Sequence, residues 1–107
     1  MEPCVYLKFF VIENQHHGGQ LVYQWLLREA STLGLQGGSA FRAVSGFGRH
    51  HVLHESRFYE LAGELPMEVV FVTSRAQADG FIAHVAAGGL SLFHCMLAAE
   101  SGTTGIA

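Results

Sequence analysis

The chain has 107 residues, 50% of them hydrophobic and 14% charged, with a formal net charge of -3. That length leaves no room for a second domain, and so many apolar residues with so few charges argue against disorder. The negative balance gives no general electrostatic pull on nucleic acid or acidic membranes.

Val5 to Ile12 reads as a strand. Val5, Leu7, Phe9 and Val11 share one face; Tyr6, Lys8, Phe10 and Ile12 share the other, and three of those four are apolar or aromatic. A strand apolar on both faces is expected to be buried on both. Glu13 to Gly19 is polar and ends in Gly18-Gly19, which predicts a loop. Gln20 to Leu33 predicts a helix with Val22, Leu26, Ala30 and Leu33 on one stripe and Gly34 as its stop. Ser39 to Ser45 predicts a second strand, broken by Gly46-Phe47-Gly48-Arg49. His50 to Leu65 is a long segment of weak periodicity, closed by Pro66; Glu55 to Leu61 fits a short strand or a helical turn.

Met67 to Thr73 is a third strand apolar on both faces, with Val69 and Phe71 on one and Val70 and Val72 on the other. Ser74-x-x-Gln77 fits a capping box. The helix Arg75 to Ala87 then places Ala78, Phe81, Ile82 and Val85 on one stripe, and Gly88-Gly89 ends it. Leu90 to Leu97 predicts the fourth strand. Residues 1–97 are expected to form one domain, and 98–107 a frayed tail.

This order predicts an α+β, ferredoxin-like βαββαβ sandwich. Its four-stranded antiparallel sheet, in the order fourth-first-third-second, carries both helices on one face, with a long loop between strands two and three. The other face is left bare and is apolar, so self-association is expected to bury it; the alternative is that the loop and tail fold over it. Cys4 and Cys95 are too few for a secreted disulfide scaffold and fit no zinc motif; two buried thiols are expected. Met1-Glu2-Pro3-Cys4 has no basic n-region, and no apolar run approaches the ~20 residues of a membrane helix. A cytoplasmic location without membrane insertion is expected.

Gly46-Phe47-Gly48-Arg49 is the first candidate for chemistry: glycines let backbone N–H groups approach an anion, and arginine supplies a fork of donors. Seven histidines form the second. His50 with His54, or His51 with His54, would share a face if the segment formed a helical turn, and such pairs bind Zn, Cu or Ni. His84 and His94 read as surface or satisfied core residues. His50, His51, His54, Glu13 and Glu55 are the available bases, but no Ser-His-Asp order, nucleophile elbow or HExxH accompanies them, so no enzyme is expected.

The ordered stretches Val11-Ile12-Glu13, Gly19-x-Leu21-x-Tyr23, Gly34-Leu35-x-Gly37, Phe41-Arg42, Gly46-Phe47-Gly48-Arg49, Leu65-Pro66 and Gly89-Leu90 resemble the PII signalling superfamily. Within it they are closest to the PII-like branch called domain of unknown function 190. The resemblance spans about residues 5 to 97. It implies a homotrimer with sheets facing inward. It also implies intersubunit clefts lined by Arg42, Gly46, Phe47, Gly48, Arg49, Gly88 and Gly89. The ligand would be a small-molecule effector: AMP, ADP, cyclic AMP or another small anion. The segment 50–65 corresponds to the T-loop, through which a partner protein, such as a membrane transporter or channel, would be met. After Gly88-Gly89 the chain holds no Lys or Arg, unlike PII proteins, which makes a triphosphate a poor fit. The alternative is a metal-binding or metal-responsive trimer that uses His50, His51 and His54 with Zn or Cu.

Overall fold

The computed structural model describes residues 1–47, 53–55 and 65–105, with 53–55 as backbone only. Its elements run β1 (Glu2–Ile12), β2 (His16–His17), β3 (Gln20–Leu21), α1 (Val22–Thr32), β4 (Gly38–Arg42), β5 (Ser45–Phe47), β6 (Leu53–Glu55), β7 (Pro66–Thr73), α2 (Arg75–Ala87) and β8 (His94–Ser101). The main sheet has the order β4-β7-β1-β8, all neighbours antiparallel. This is the expected ferredoxin-like arrangement.

Register explains the core. Val5, Leu7, Phe9 and Val11 stand opposite Thr73, Phe71, Val69 and Met67, and all eight are buried. Val22, Leu26 and Ala30 of α1, with Ala78, Phe81 and Val85 of α2, close over them. Phe9, Phe71 and Phe81 meet edge to face, with centroids 5.3 to 6.3 Å apart. Full burial of each ring is worth about 1.5–3 kcal/mol.

Both helix ends follow from glycine. Gly34 has φ +89° and Gly89 has φ +86°, a region costly to any residue with a Cβ. At the first end, Gly34 N–H donates to Ser31 O and Leu35 N–H to Ala30 O; at the second, Gly89 N–H donates to Ala86 O and Leu90 N–H to Val85 O. These are Schellman closures, which satisfy the last helical carbonyls. The first one corrects the helix stripe: Leu33 is 45% exposed, and Leu35, carried past the turn, is buried in its place. The start of α2 is half a capping box. Ser74 Oγ accepts from Gln77 N–H, while the Gln77 side chain turns away to Thr73 and to Gly34 O.

Several boundaries differ from the sequence reading. α1 begins at Val22 because His16–His17 and Gln20–Leu21 pair across Gly18-Gly19, whose φ values of 58° and 79° suit a tight two-residue turn. The second strand ends at Arg42, where Ala43 N–H makes a last bond to Pro66 O. Gly46 and Phe47 are therefore not a break in that strand but part of β5, paired with His54 and Leu53 of β6. The fourth strand lies at His94–Ser101 rather than Leu90–Leu97, because pairing with β1 runs from Phe9↔His94 to Glu2↔Ser101. Ala98 to Ser101, assigned above to the tail, are thus strand residues, and β1 extends back to Glu2 to meet them.

Within one chain, the face away from the helices is left open, as the doubly apolar strands and single helix layer suggested. Phe10, Phe41, Val72, Phe93 and Leu97 all stay exposed on it. Cys4 and Cys95 lie on this face too. Both are free and half-buried rather than buried, and Cys4 stands opposite Ala99 while Cys95 stands opposite Lys8.

Candidate functional site

The end of the sheet where β1 finishes and β7 begins carries an ion pair between Arg42 and Glu13. Arg42 lies on the helix side by strand alternation, in the row Val11–Met67–Arg42. Its Nη2 donates to Glu13 Oε2 in a direct ion pair. Glu13 is held by its own backbone, whose N–H donates to Leu65 O at 2.9 Å. The Glu13 side chain is only 17% exposed against 48% for Arg42. Its second oxygen, Oε1, is buried with no hydrogen-bond partner among the described residues. Arg42, expected as an anion clamp, is thus bonded to a carboxylate of its own chain.

Gly88 and Gly89 also stand at this end of the sheet, beyond β8. Two residues that the sequence did not single out cover them. His17 Nε2 donates to Gly88 O at 2.8 Å, and the Trp25 ring lies 3.3 Å from where a Cβ on Gly88 would be. Trp25 stacks on His84 at 6.0 Å and 11°, and His84 Nε2 meets Glu29 Oε1 at 2.8 Å. The signals in the sequence were His17 beside the Gly18-Gly19 turn and the single tryptophan next to the α1 stripe. His94 is exposed, with Nδ1 on Leu92 O.

Of the expected lips, Arg42 ends β4 and reaches across to Glu13, just past β1, and a Cβ on Gly46 would lie 3.7 Å from Pro66 of β7. Gly88 and Gly89 follow α2, under His17 and Trp25. Gly48, Arg49, His50 and His51 lie outside the described residues. His54 is described as backbone only, on β6, a strand rather than a helical turn. Among the described residues no three His, Cys, Asp or Glu side chains converge as a metal site, and no helix is long and apolar enough to cross a membrane.

The open face carries an ion pair within its apolar surface. Lys8 Nζ lies 2.8 Å from Glu68 Oε1 and 5.3 Å from the Tyr6 ring centroid. The hydrogen bond to Glu68 raises the Lys8 pKa above its ordinary 10.5. A shallow groove of about 970 Å³ crosses this face toward the far end of the sheet, walled by Cys4, Tyr6, Phe41, Val70 and Val72 among others.

Residues 4–90 match the model of the DUF190 family, described as "Uncharacterized ACR". A relative from Aquifex aeolicus (strain VF5), a UPF0166 protein, is 27% identical over 79 residues, covering 74% of this chain and 75% of its own. Among solved structures, CPII of Thiomonas intermedia K12, bound to ADP and bicarbonate, superposes with a TM-score of 0.62 at 16% identity, covering 94% of this chain and 90% of that one. A Thermus thermophilus protein classed as PII-like signalling superposes with a TM-score of 0.58 at 12% identity, covering 92% and 87%. At these identities the two structures establish the shared fold.

Proposed function

The chain belongs to the DUF190 family and has the PII-like fold, and from that premise we propose that it is a small-ligand-binding regulatory protein rather than an enzyme. The ligand, an adenine nucleotide such as ADP, AMP or cyclic AMP or another small anion, binds between subunits of a homotrimer. Arg42, Gly46, Phe47, Gly48 and Arg49 of one copy face Gly88 and Gly89 of the next. Ligand ordering of the 50–65 segment then sets its contact with a partner protein, a membrane transporter or channel, in the cytoplasm.

The observation that carries this reading is the apolar face of the sheet away from the helices, where Phe10, Phe41, Val72, Phe93 and Leu97 are exposed. Such a face gives copies of the chain a reason to associate, and a cleft between subunits needs that association. CPII, of the same fold, is bound to ADP and bicarbonate.

The test is thermal unfolding of the metal-stripped chain with ATP, ADP, AMP, cyclic AMP, bicarbonate, Zn and Cu. A ligand at 100 times its dissociation constant adds about 2.7 kcal/mol when it binds the folded state alone. A shift with ADP, AMP or cyclic AMP supports the reading. A shift with Zn or Cu only would replace it with metal binding by the histidine segment.

A further inference from the structure

The two edges of the main sheet are not alike. β4, at one edge, is five residues long and ends on Arg42. Short length and a charge are how edge strands are kept from pairing with other chains. β8, at the other edge, runs eight residues from His94 to Ser101 with no proline, lysine or arginine. Its ladder with β1 is unbroken from Phe9↔His94 to Glu2↔Ser101, so no bulge twists the edge away. Phe10 N–H donates to Phe93 O at 3.0 Å, and by alternation the backbone groups of Cys95, Leu97, Ala99 and Ser101 also turn toward β1. Those of His94, Met96, Ala98 and Glu100 therefore point out of the sheet, and no strand or loop among the described residues takes them.

We propose that β8 is a docking edge for β8 of a second copy of this chain, paired antiparallel about a twofold axis through Leu97. An axis perpendicular to the sheet keeps both helix layers on one side, so only residues that share a face can stand opposite each other. Centred on Leu97, the ladder sets His94 against the partner's Glu100, Met96 against the partner's Ala98, and Leu97 against itself. Moving the axis to Ala98 or to Met96 sets Glu100 against Met96 or Leu92 instead, with no base to meet it. Both charged groups are exposed, and His94 Nδ1 already lies on Leu92 O, which leaves Nε2 for the carboxylate. The four outward residues then exchange backbone bonds with those of the second copy, and the opposite charges at the two ends of the ladder fix its register. An edge contact is smaller than a standard interface, so alone it pairs chains only at concentrations of about 0.1–1 mM. The pair is independent of the open face and of the trimer reading above: with a trimer it gives a hexamer, without one a dimer.

The experiment is disulfide trapping of the full chain at about 0.5 mM, with Cys4→Ser and Cys95→Ser and one new cysteine at a time. Leu97 meets itself at a non-hydrogen-bonded site, with Cα atoms about 4.5 Å apart, inside the range that a disulfide spans. Leu97→Cys should therefore be captured as a dimer at least about tenfold faster than Ser101→Cys, whose two copies stand far apart. Ala98→Pro removes an outward N–H and no bond within the sheet. Added to Leu97→Cys, it should abolish capture while circular dichroism stays that of the folded chain. Ala98→Lys, a charge on the free edge, gives the same reading if the proline variant does not fold. Glu100→Lys should slow capture about two- to tenfold, and adding His94→Glu should restore it. Capture at Leu97→Cys no faster than at Ser101→Cys would overturn the pairing. So would a Glu100→Lys effect that His94→Glu does not reverse, or capture that survives both Ala98 variants, which marks contact through the open face instead. Sedimentation of the wild type at the same concentration separates this from the trimer reading. A trimer without capture removes the edge pair alone, and a captured species that stays a dimer removes the trimer alone.

Discussion

Phe41→Asp is the sharpest perturbation of the assembly on which the cleft depends. Phe41 sits on the edge strand β4, on the open face, and is 56% exposed. With roughly 200 Å² for the side chain, about 110 Å² is available for burial against another copy. At about 25 cal/mol per Å² this is ~3 kcal/mol per copy, or about a hundredfold in dissociation constant. An aspartate adds the desolvation of an unpaired charge in the same direction. The fold itself should hardly notice, because substitutions at exposed positions stay within about 0.5 kcal/mol. Sedimentation velocity over a concentration series, with circular dichroism as the control for folding, reads the effect. Wild type should sediment as an oligomer at micromolar concentration and Phe41→Asp as a folded monomer. A monomeric wild type, or a variant that assembles like it, would refute the argument and remove the intersubunit cleft with it.

Gly38→Ala should destabilise the chain by about 1–3 kcal/mol in urea unfolding, because its Cβ would lie 2.5 Å from Cε1 of the buried Phe71 ring; an unchanged midpoint means the ring has room to move. His17→Ala removes the donor to Gly88 O, a loss of about 0.5–1.5 kcal/mol. Amide exchange at Gly89 and Leu90 should then accelerate more than in the core strands, and equal protection would show that the ring does not hold this turn. For the Lys8–Glu68 pair the raised Lys8 pKa sets the sign: its contribution is complete below the unfolded value and is lost as pH rises through the higher folded one. The stability difference between wild type and Lys8→Met should accordingly be constant through mildly alkaline pH and shrink only above about pH 10.5. Shrinkage nearer neutrality would mean that the pair does not stabilise the charged amine.

The strands, the helices and their order were legible because each rests on a short-range rule. The alternation in Val5 to Val11 and Met67 to Thr73, the Ser74 cap, and the glycines at 34 and 88–89 each act within a few residues of themselves. So did the open face: a strand apolar on both sides says that one layer of helices cannot cover it. What had to wait for the folded chain were the contacts between residues far apart in sequence. Strand register moved the fourth strand from Leu90–Leu97 to His94–Ser101, since a ladder is set by its partner rather than by local hydrophobicity. Pairing with β6 turned Gly46 and Phe47 from a break into a strand. His17 on Gly88 spans 71 positions, and Arg42 on Glu13 spans 29. Local pattern was enough for the ferredoxin-like architecture, and the ordered motifs for the resemblance to PII-like proteins. It took the packed sheet to show that Arg42 is already paired with a carboxylate whose second oxygen is buried and unmet among the described residues. Periodicity reports which face a side chain takes, whereas its partner depends on how the whole sheet is assembled.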